Sequence, residues 1–293
     1  AEPVDADLLI RDADAAMYRA KERDRARCAL FAAEMRARAV RRIEVESELR
    51  HALERDELVL HYQPVVSLAS GEITGLEALV RWRHPERGLL DPGEFISIAE
   101  DSGLIEPIGR WVQERACRQV LEWHLLRPDS RPFDVSVNLS ARQVAHRDLP
   151  ATVAEIIAST GLDPVHLRLE ITESVLVEES ATAISSLEAL NELGVRLVLD
   201  DFGTGYSSLA YLNRFPFHAL KIDRSFVETL GVEQEGTAIV EAVIGMARAL
   251  SLDVIAEGIE NEVQLDELRR LECDYGQGHL FREALRPEEI SRM

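Results

Sequence analysis

From residue 58 to residue 281 the chain switches repeatedly between two hydrophobic periods. Short apolar or alternating runs, the pattern of strands, recur at 59–64, 74–82, 133–139, 166–171, 196–199, 219–222, 253–256 and 275–281. Segments of helical period lie between most of them, at 92–100, 106–125, 149–159, 181–193, 207–215, 237–250 and 262–271. The last follows Asn261, a good N-cap. Only residues 67–71 or so separate the first two strands, which predicts a hairpin; the rest read as βα units. Eight strands with intervening helices match a (β/α)8 barrel, which takes about 250 residues. A doubly wound open sheet is the alternative. It would usually carry a glycine-rich nucleotide turn after an early strand, and no GxGxxG is present.

Residues 7–56 precede this alternation and read as helix throughout. Arg42 sits four residues before Glu46, a favourable pair, but Glu44 sits four before Glu48, an unfavourable one. The helix therefore relies on packing of Val40, Ile43, Leu49 and Leu53. Two readings are open: an amphipathic helix lying on the main domain, or a connector that carries signals from an upstream domain.

Composition narrows the class. The 293 residues are 46% hydrophobic and 29% charged, ordinary for a globular protein and unlike disordered, collagen-like or disulfide-dense chains. The formal charge of −20 repels polyphosphate backbones and argues against long nucleic acid as a partner. A small phosphorylated ligand remains compatible if metal ions supply positive charge. Cys28, Cys117 and Cys273 form no CxxC pair, which fits a reducing cytoplasm rather than a disulfide framework. No apolar run approaches the ~20 residues of a membrane helix. The acidic start lacks Met, the expectation for an excerpt or a processed product, whose full-length parent could be membrane-anchored.

In a barrel, reactive groups collect where strands end and βα loops begin. The second predicted strand carries Glu77, the third ends in Asn138, and the fourth ends in Glu170, with Thr172 and Glu173 following. The fifth runs into Asp200 and Asp201, the sixth carries Lys221 and Asp223, the seventh leads to Glu257, and the eighth region holds Gln277. Any one of these carboxylates alone reads as half of a salt bridge. As a set they outnumber the strand-end cations, chiefly Lys221 and Arg81, which weakens the salt-bridge reading and favours a bound cation. The adjacent Asp200 and Asp201 repel each other unless a cation holds them. Oxygen donors from Glu, Asp and Asn without His or Cys select Mg²⁺ or Mn²⁺. His166 should lie at the opposite mouth, His84 reads as a packing residue, and His279 belongs to no acidic cluster. A site that holds two such cations suits phosphoryl chemistry, with Lys221 orienting a water or offsetting phosphate charge. The loop after Asp201 contains Gly203 and Gly205 and reads either as a plain turn capped by Ser207 or as a mobile loop that positions a carboxylate.

Together these motifs resemble the EAL family of cyclic di-GMP phosphodiesterases. The resemblance spans about residues 49–285 and rests on Gln63-Pro64, Glu77-Ala78-Leu79, Asn138-Leu139-Ser140, Glu170-Ile171-Thr172-Glu173, the Asp200–Leu209 loop, Lys221-Ile222-Asp223, Ala256-Glu257-Gly258 and Gln277-Gly278-His279. It implies a TIM-like (β/α)8 barrel with an antiparallel first strand, plus an N-terminal helical extension. It implies hydrolysis of cyclic di-GMP to linear pGpG with two ions of Mg²⁺ or Mn²⁺. By the same resemblance, Glu77, Asn138, Glu170 and Asp200 are ligands of a first metal, and Asp200 and Asp201 of a second. Lys221 and Glu257 position or activate the water, Gln277 supports the site, and Glu173 holds the glycine-rich loop. Gln63 and Arg81 are substrate contacts, Arg81 to phosphate. A homodimer through the barrel side near the Asp200–Leu209 loop is implied as well. Two departures, His279 where the family often has an aromatic residue and a tail at 281–285 without the family's proline, touch C-terminal packing rather than chemistry.

The segment from Leu8 to Lys21 resembles the last helix of a GGDEF diguanylate cyclase domain, without that family's signature. The expected organisation is a GGDEF remnant at 1–30, a helical linker at 31–56 and the EAL barrel at 57–293, cut from a cytosol-facing parent with an upstream GGDEF or sensor domain. Two other readings compete with catalysis. One is a catalytically silent receptor for the nucleotide, which would be expected to lack metal ligands, the lysine or the loop glutamate. The other is an enolase-like barrel enzyme, against which the ordered motifs speak.

Overall fold

The computed structural model describes residues 33–177, 181–203, 215–232 and 234–293. Its strands are β1 (Leu58–Ser67), β2 (Ile73–His84), β3 (Gly88–Leu90), β4 (Asp134–Leu139), β5 (Leu167–Thr172), β6 (Arg196–Phe202), β7 (Phe217–Ile222), β8 (Asp253–Ala256) and β9 (Tyr275–Gly276). The helices are α1 (Ala33–Ala52), α2 (Ile96–Ser102), α3 (Ile105–Leu126), α4 (Ala141–Val144), α5 (Leu149–Thr160), α6 (Ser174–Val177), α7 (Ala181–Glu192), α8 (Arg224–Val227), α9 (Gln234–Ala249), α10 (Glu262–Arg270) and α11 (Pro287–Ile290). The sheet runs β1-β9-β8-β7-β6-β5-β4-β2 and closes on itself through β1–β2, with β3 appended to β2. β1 is antiparallel to both of its neighbours, and β2 and β4 to β9 are mutually parallel. This is the TIM-like barrel with an inverted first strand that the hairpin and the βα units anticipated.

Side-chain alternation explains the closure. On β5, Leu167, Leu169 and Ile171 point outward into the helix layer, while Arg168 and Glu170 point into the lumen. On β4, Val135, Val137 and Leu139 point out, and on β6 Leu197 and Leu199 do the same. Inside the barrel, Val65, Val198, Ala219 and Ile255 form a separate apolar plug against Tyr275. The polar strand ends therefore rest on a dry floor at the mouth where the βα loops begin.

Several elements differ from the sequence expectation. The segment expected to be helical over 92–100 is a 3₁₀ turn, Pro92–Glu94, followed by α2. The fully buried Phe95, with φ −137°, separates them. The eighth strand, expected over 275–281, ends after Gly276. Beyond it the chain bonds the turn at Ile259, whose N–H donates to the Gln277 carbonyl and whose carbonyl accepts from Leu280. Within α1, Ile43 is 68% exposed, not packed; Val45, Leu49 and Ala52 make the buried face, with Leu53 packed beside them. The short β3 was not anticipated. The expected helix over 207–215 lies outside the described residues except Phe215, as do the helix expected before residue 33 and the tip of the Asp200–Leu209 loop.

α1 is tied to the hairpin as well as packed on it. Glu48 accepts from His84 Nε2 and from Arg87, both at 3.1 Å, and Arg42 pairs with Asp101 on α2. His84 Nδ1 accepts the backbone N–H groups of Glu86 and Arg87, so the ring is the buried packing residue its loop position implied. No described helix is long and apolar enough to cross a membrane.

Candidate active site

The lumen-facing residues at the strand ends converge. β2 supplies Glu77, β4 Asn138, β5 Glu170, β6 Asp200 and β7 Lys221, while Glu257 follows β8 and Gln277 follows β9. Glu77, Glu170, Lys221 and Gln277 are all at most 5% exposed. Lys221 lies at the centre. Its Nζ is 2.5 Å from Glu257, 2.7 Å from Glu170, 3.2 Å from Glu77 and 3.6 Å from Asp200. Glu77 also accepts from Asn138 Nδ2 at 2.8 Å and from Gln277 Nε2 at 2.6 Å. The same Gln277 amide nitrogen reaches Gln63 at 3.1 Å. The cross-strand pairing of Gln63 with Glu77 puts Gln63 beside the cluster.

Electrostatics follow from one ammonium among four carboxylates, of which Glu77, Glu170 and Asp200 are buried and Glu257 is partly exposed. Burial pushes Glu170 up to about 8, with the neighbouring Glu77 charge adding to it and Lys221 opposing. Burial likewise raises Glu257 to about 7, against the pull of Lys221. For Glu77 burial also acts upward, but Lys221 and hydrogen bonds from Gln277 and Asn138 outweigh it and hold the carboxyl below its ordinary value. Lys221 is held well above its ordinary value, because the surrounding carboxylates outweigh burial. Protons thus stand in for positive charge that the side chains do not supply. The donor set is oxygen only, which fits hard divalent cations.

A second convergence adjoins the first. Carboxylate oxygens of Asp200, Asp201 and Glu257 lie within 4.8 Å of one another. Burial and the Asp200 charge raise Asp201. Its backbone is left-handed, with φ 55°, which turns its carboxylate off the strand line, and its N–H donates to Asp200 Oδ1 at 2.9 Å. Glu173 stands behind this pair: its N–H donates to the Asp200 carbonyl, and its Oε2 accepts the Gly203 N–H at 3.3 Å. Among the described residues, the buried Glu173 Oε1 and Gln277 Oε1 have no hydrogen-bond partner.

Arg81 stands apart from the cluster. It lies on the Glu77 face of β2, four residues further out, about 13 Å along the strand, and its Nε pairs with Asp91 at 2.9 Å. Asp91 was missed in the sequence; it follows β3, and only recognition of that strand as a return along β2 would have brought it opposite Arg81. His166 lies at the other barrel mouth, bonded to Asp134, and His279 is exposed.

A closed barrel, parallel apart from β1, with a mouth of convergent carboxylates around a buried lysine defines a class of TIM-like barrel proteins with an acidic strand-end site. Within it the chain belongs to the EAL domain family, whose family model matches residues 46–284. It is 44% identical over 282 residues to the bifunctional diguanylate cyclase/cyclic di-GMP phosphodiesterase MucR of Pseudomonas aeruginosa, covering 96% of this chain and 41% of MucR. It is 42% identical over 277 residues to the cyclic di-GMP phosphodiesterase PdeR of Escherichia coli, covering 94% of this chain and 41% of PdeR. The chain therefore spans about two fifths of these curated relatives. Among solved structures, the PaMucR phosphodiesterase in complex with c-di-GMP is 44% identical and superposes with a TM-score of 0.80, over 84% of this chain and 99% of that one. The FimX EAL domain from Pseudomonas aeruginosa, bound to c-di-GMP, is 25% identical with a TM-score of 0.72, over 80% and 94%.

Proposed function

We propose that this chain hydrolyses one phosphodiester bond of cyclic di-GMP, giving linear pGpG, with Mg²⁺ or Mn²⁺. The observation that carries the reading is the meeting of Glu77, Glu170, Asp200 and Glu257 around the buried Lys221, next to the Asp200–Asp201–Glu257 oxygen cluster. The names of the relatives and the ligand of the PaMucR structure support it. Glu77, Asn138, Glu170 and Asp200 would hold one cation, and Asp200 with Asp201 a second. Bound there, the cations would neutralise charge on the phosphate and lower the pKa of a water.

The chain's own groups do the rest. Lys221 and Glu257 orient the attacking water, and Glu257 accepts its proton. The water oxygen forms the new P–O bond, the P–O3′ bond breaks, and the freed 3′ oxygen takes up a proton. Gln277 fixes Glu77 and Gln63, and Glu173 fixes the start of the loop that follows Asp201. Gln63 faces the substrate, and Arg81, released from Asp91, would meet a phosphate.

We further propose the organisation anticipated from the sequence: a GGDEF remnant at 1–30, a linker at 31–56 and the barrel from 57, working in the cytosol downstream of a GGDEF or sensor domain. Homodimerisation through the barrel side near the Asp200–Leu209 loop belongs to the same reading. The test is chromatographic detection of pGpG from cyclic di-GMP during a Mg²⁺ or Mn²⁺ titration. Glu77→Ala should lower turnover by about 10²–10³-fold or more. Tight nucleotide binding without product in the unmutated protein would make it a receptor.

A further inference from the structure

An anionic substrate needs cations, and both of those near the strand ends are engaged. Lys221 has four carboxylates within 3.6 Å. Arg81 lies on the Glu77 face of β2, past Ala78, the last β2 residue that pairs with β4. Its Nε pairs with Asp91 at 2.9 Å, and its Nη1 donates to the Val80 carbonyl at 2.9 Å. The pair is lopsided: the Arg81 side chain is 14% exposed and that of Asp91 76%. A carboxylate standing in water contributes little to such a pair, so another anion can replace it. Asp91 occupies Nε, one half of the Nε–Nη2 edge with which an arginine grips a phosphate in bidentate fashion. A phosphate on that edge and Asp91 exclude each other.

Asp91 has a second place to go. Pro92 follows it and biases it towards extended backbone; its φ of −81° and ψ of 156° suit a helix N-cap. It is the N-cap residue of the 3₁₀ turn Pro92–Glu94, yet its side chain makes no capping bond. An aspartate in that position ordinarily accepts an N–H two or three residues on. The Glu94 N–H is already bonded to the Asp91 carbonyl at 3.0 Å, whereas the Gly93 N–H is exposed and, among the described residues, has no acceptor. The carboxylate is thus diverted from its local partner to Arg81. The backbone on both sides is fixed, by the Trp82–Leu90 pairing before Asp91 and by the fully buried Phe95 after it. Only the Asp91 side chain has to turn.

We propose, resting on the cyclic di-GMP reading above, that Asp91 is a positioning residue that sets substrate affinity through Arg81. It holds the guanidinium until a substrate phosphate takes its place, and then turns its carboxylate to the Gly93 N–H. The phosphate therefore binds against a competitor built into the chain, and the capping bond offsets part of the pair that is given up.

The test is steady-state formation of pGpG with Mg²⁺ by the unmutated chain and by Asp91→Asn, Asp91→Ala, Arg81→Ala and the Arg81→Ala/Asp91→Asn double variant, each checked for folding by circular dichroism. Asparagine keeps the cap and loses the charge. Asp91→Asn should lower KM about two- to fivefold, the worth of an exposed ion pair, with the change in KM rather than kcat. Asp91→Ala loses both partners and should lower KM less. Arg81→Ala should raise KM about tenfold or more, and adding Asp91→Asn to it should change nothing further. An unmoved KM in Asp91→Asn overturns the proposal and leaves the reading of the site intact. A raised KM would make Asp91 a permanent brace for Arg81, and equal KM values for the Asn and Ala variants would deny the turn to Gly93; either overturns the exchange. If Asp91→Asn lowers KM as much without Arg81, Asp91 merely repels the nucleotide and the pair is not the device. If Arg81→Ala leaves KM where it was, Arg81 meets no phosphate and the proposal falls. No pGpG from the unmutated chain overturns the reading itself, and the role of Asp91 with it.

Discussion

At the scale of single residues, the site is a problem of charge supply. Glu170 and Glu257 are raised to about 8 and about 7 in the folded chain, against an ordinary value of 4.5. A raised carboxylate is protonated in the folded state while the unfolded state has already lost its proton. Its contribution to stability is therefore complete below about pH 4.5 and drains away as pH rises towards 7 and 8. The metal-free protein should lose melting temperature over that window, and Mg²⁺ should restore it. Because bound cations need ionised carboxylates, Mg²⁺ binding at pH 6.5 should release protons, and the release should fade above about pH 8. Calorimetric titration in two buffers of different ionisation enthalpy measures that number. A release that does not vary with pH would mean that the raised carboxylates are not the groups that take the cation. Glu173 works differently, by holding Gly203 and the Asp200 backbone. Glu173→Ala should cut turnover by about 10–100-fold while circular dichroism stays unchanged. Unchanged turnover would deny it a positioning role.

At the scale of elements, the packing of β9 and the β8–α10 turn places Gln277. A Cβ on Gly278 would meet the Ile259 carbonyl oxygen at 2.2 Å and nitrogen at 2.3 Å, both backbone atoms that cannot swing aside. Gly278→Ala should cost about 1–3 kcal/mol of stability and lower turnover by displacing Gln277 from Glu77, with thermal melting and product assay as readouts. A fully stable, fully active variant would show that the turn has slack. This element also shows what was legible in the sequence. The strand ends at Glu77, Glu170, Asp200 and Lys221 could be read because a period-2 apolar run marks the outward face and leaves the inward residue exposed to view. The Asn261 cap could be read because capping is local, and Asn261 and Gln264 form the reciprocal pair. The end of β9 could not: Tyr275 to Phe281 has the composition of a strand, and only the close approach of Ile259, remote in sequence, stops the ladder. Arg81 shows the same limit. Its ion pair with Asp91 depends on the three-residue β3, too short to carry a period. Ile43 was misassigned because α1 packs along the Val45–Leu49–Ala52 line, a rotation that helical period alone leaves free.

At the scale of the whole molecule, the barrel closes through its weakest seam. β9 pairs with β1 at two positions and with β8 at two, whereas β4–β5 and β5–β6 each pair at five. Backbone ladders alone would leave this seam the first to open, since local stability follows the density of bonds and buried contacts. Side chains of the site cross it: Gln277 bonds Glu77 and Gln63, on the two strands beyond β9. Glu257 reaches Lys221 across the β7–β8 junction. A cation held by residues of β2, β5 and β6 would tighten the ring from the other side, and a chain of formal charge −20 attracts it from solution. Metal binding should therefore slow amide exchange at 62–66 and 275–277 more than at 167–171, where the ladder is already continuous. Deuterium exchange with mass spectrometry, with and without Mg²⁺, measures both segments in one experiment. In Glu77→Ala the seam should exchange quickly with or without the ion, because the carboxylate that receives Gln277 is gone. If the ion slows both segments alike, it stabilises the fold generally and the seam is not what the site clamps.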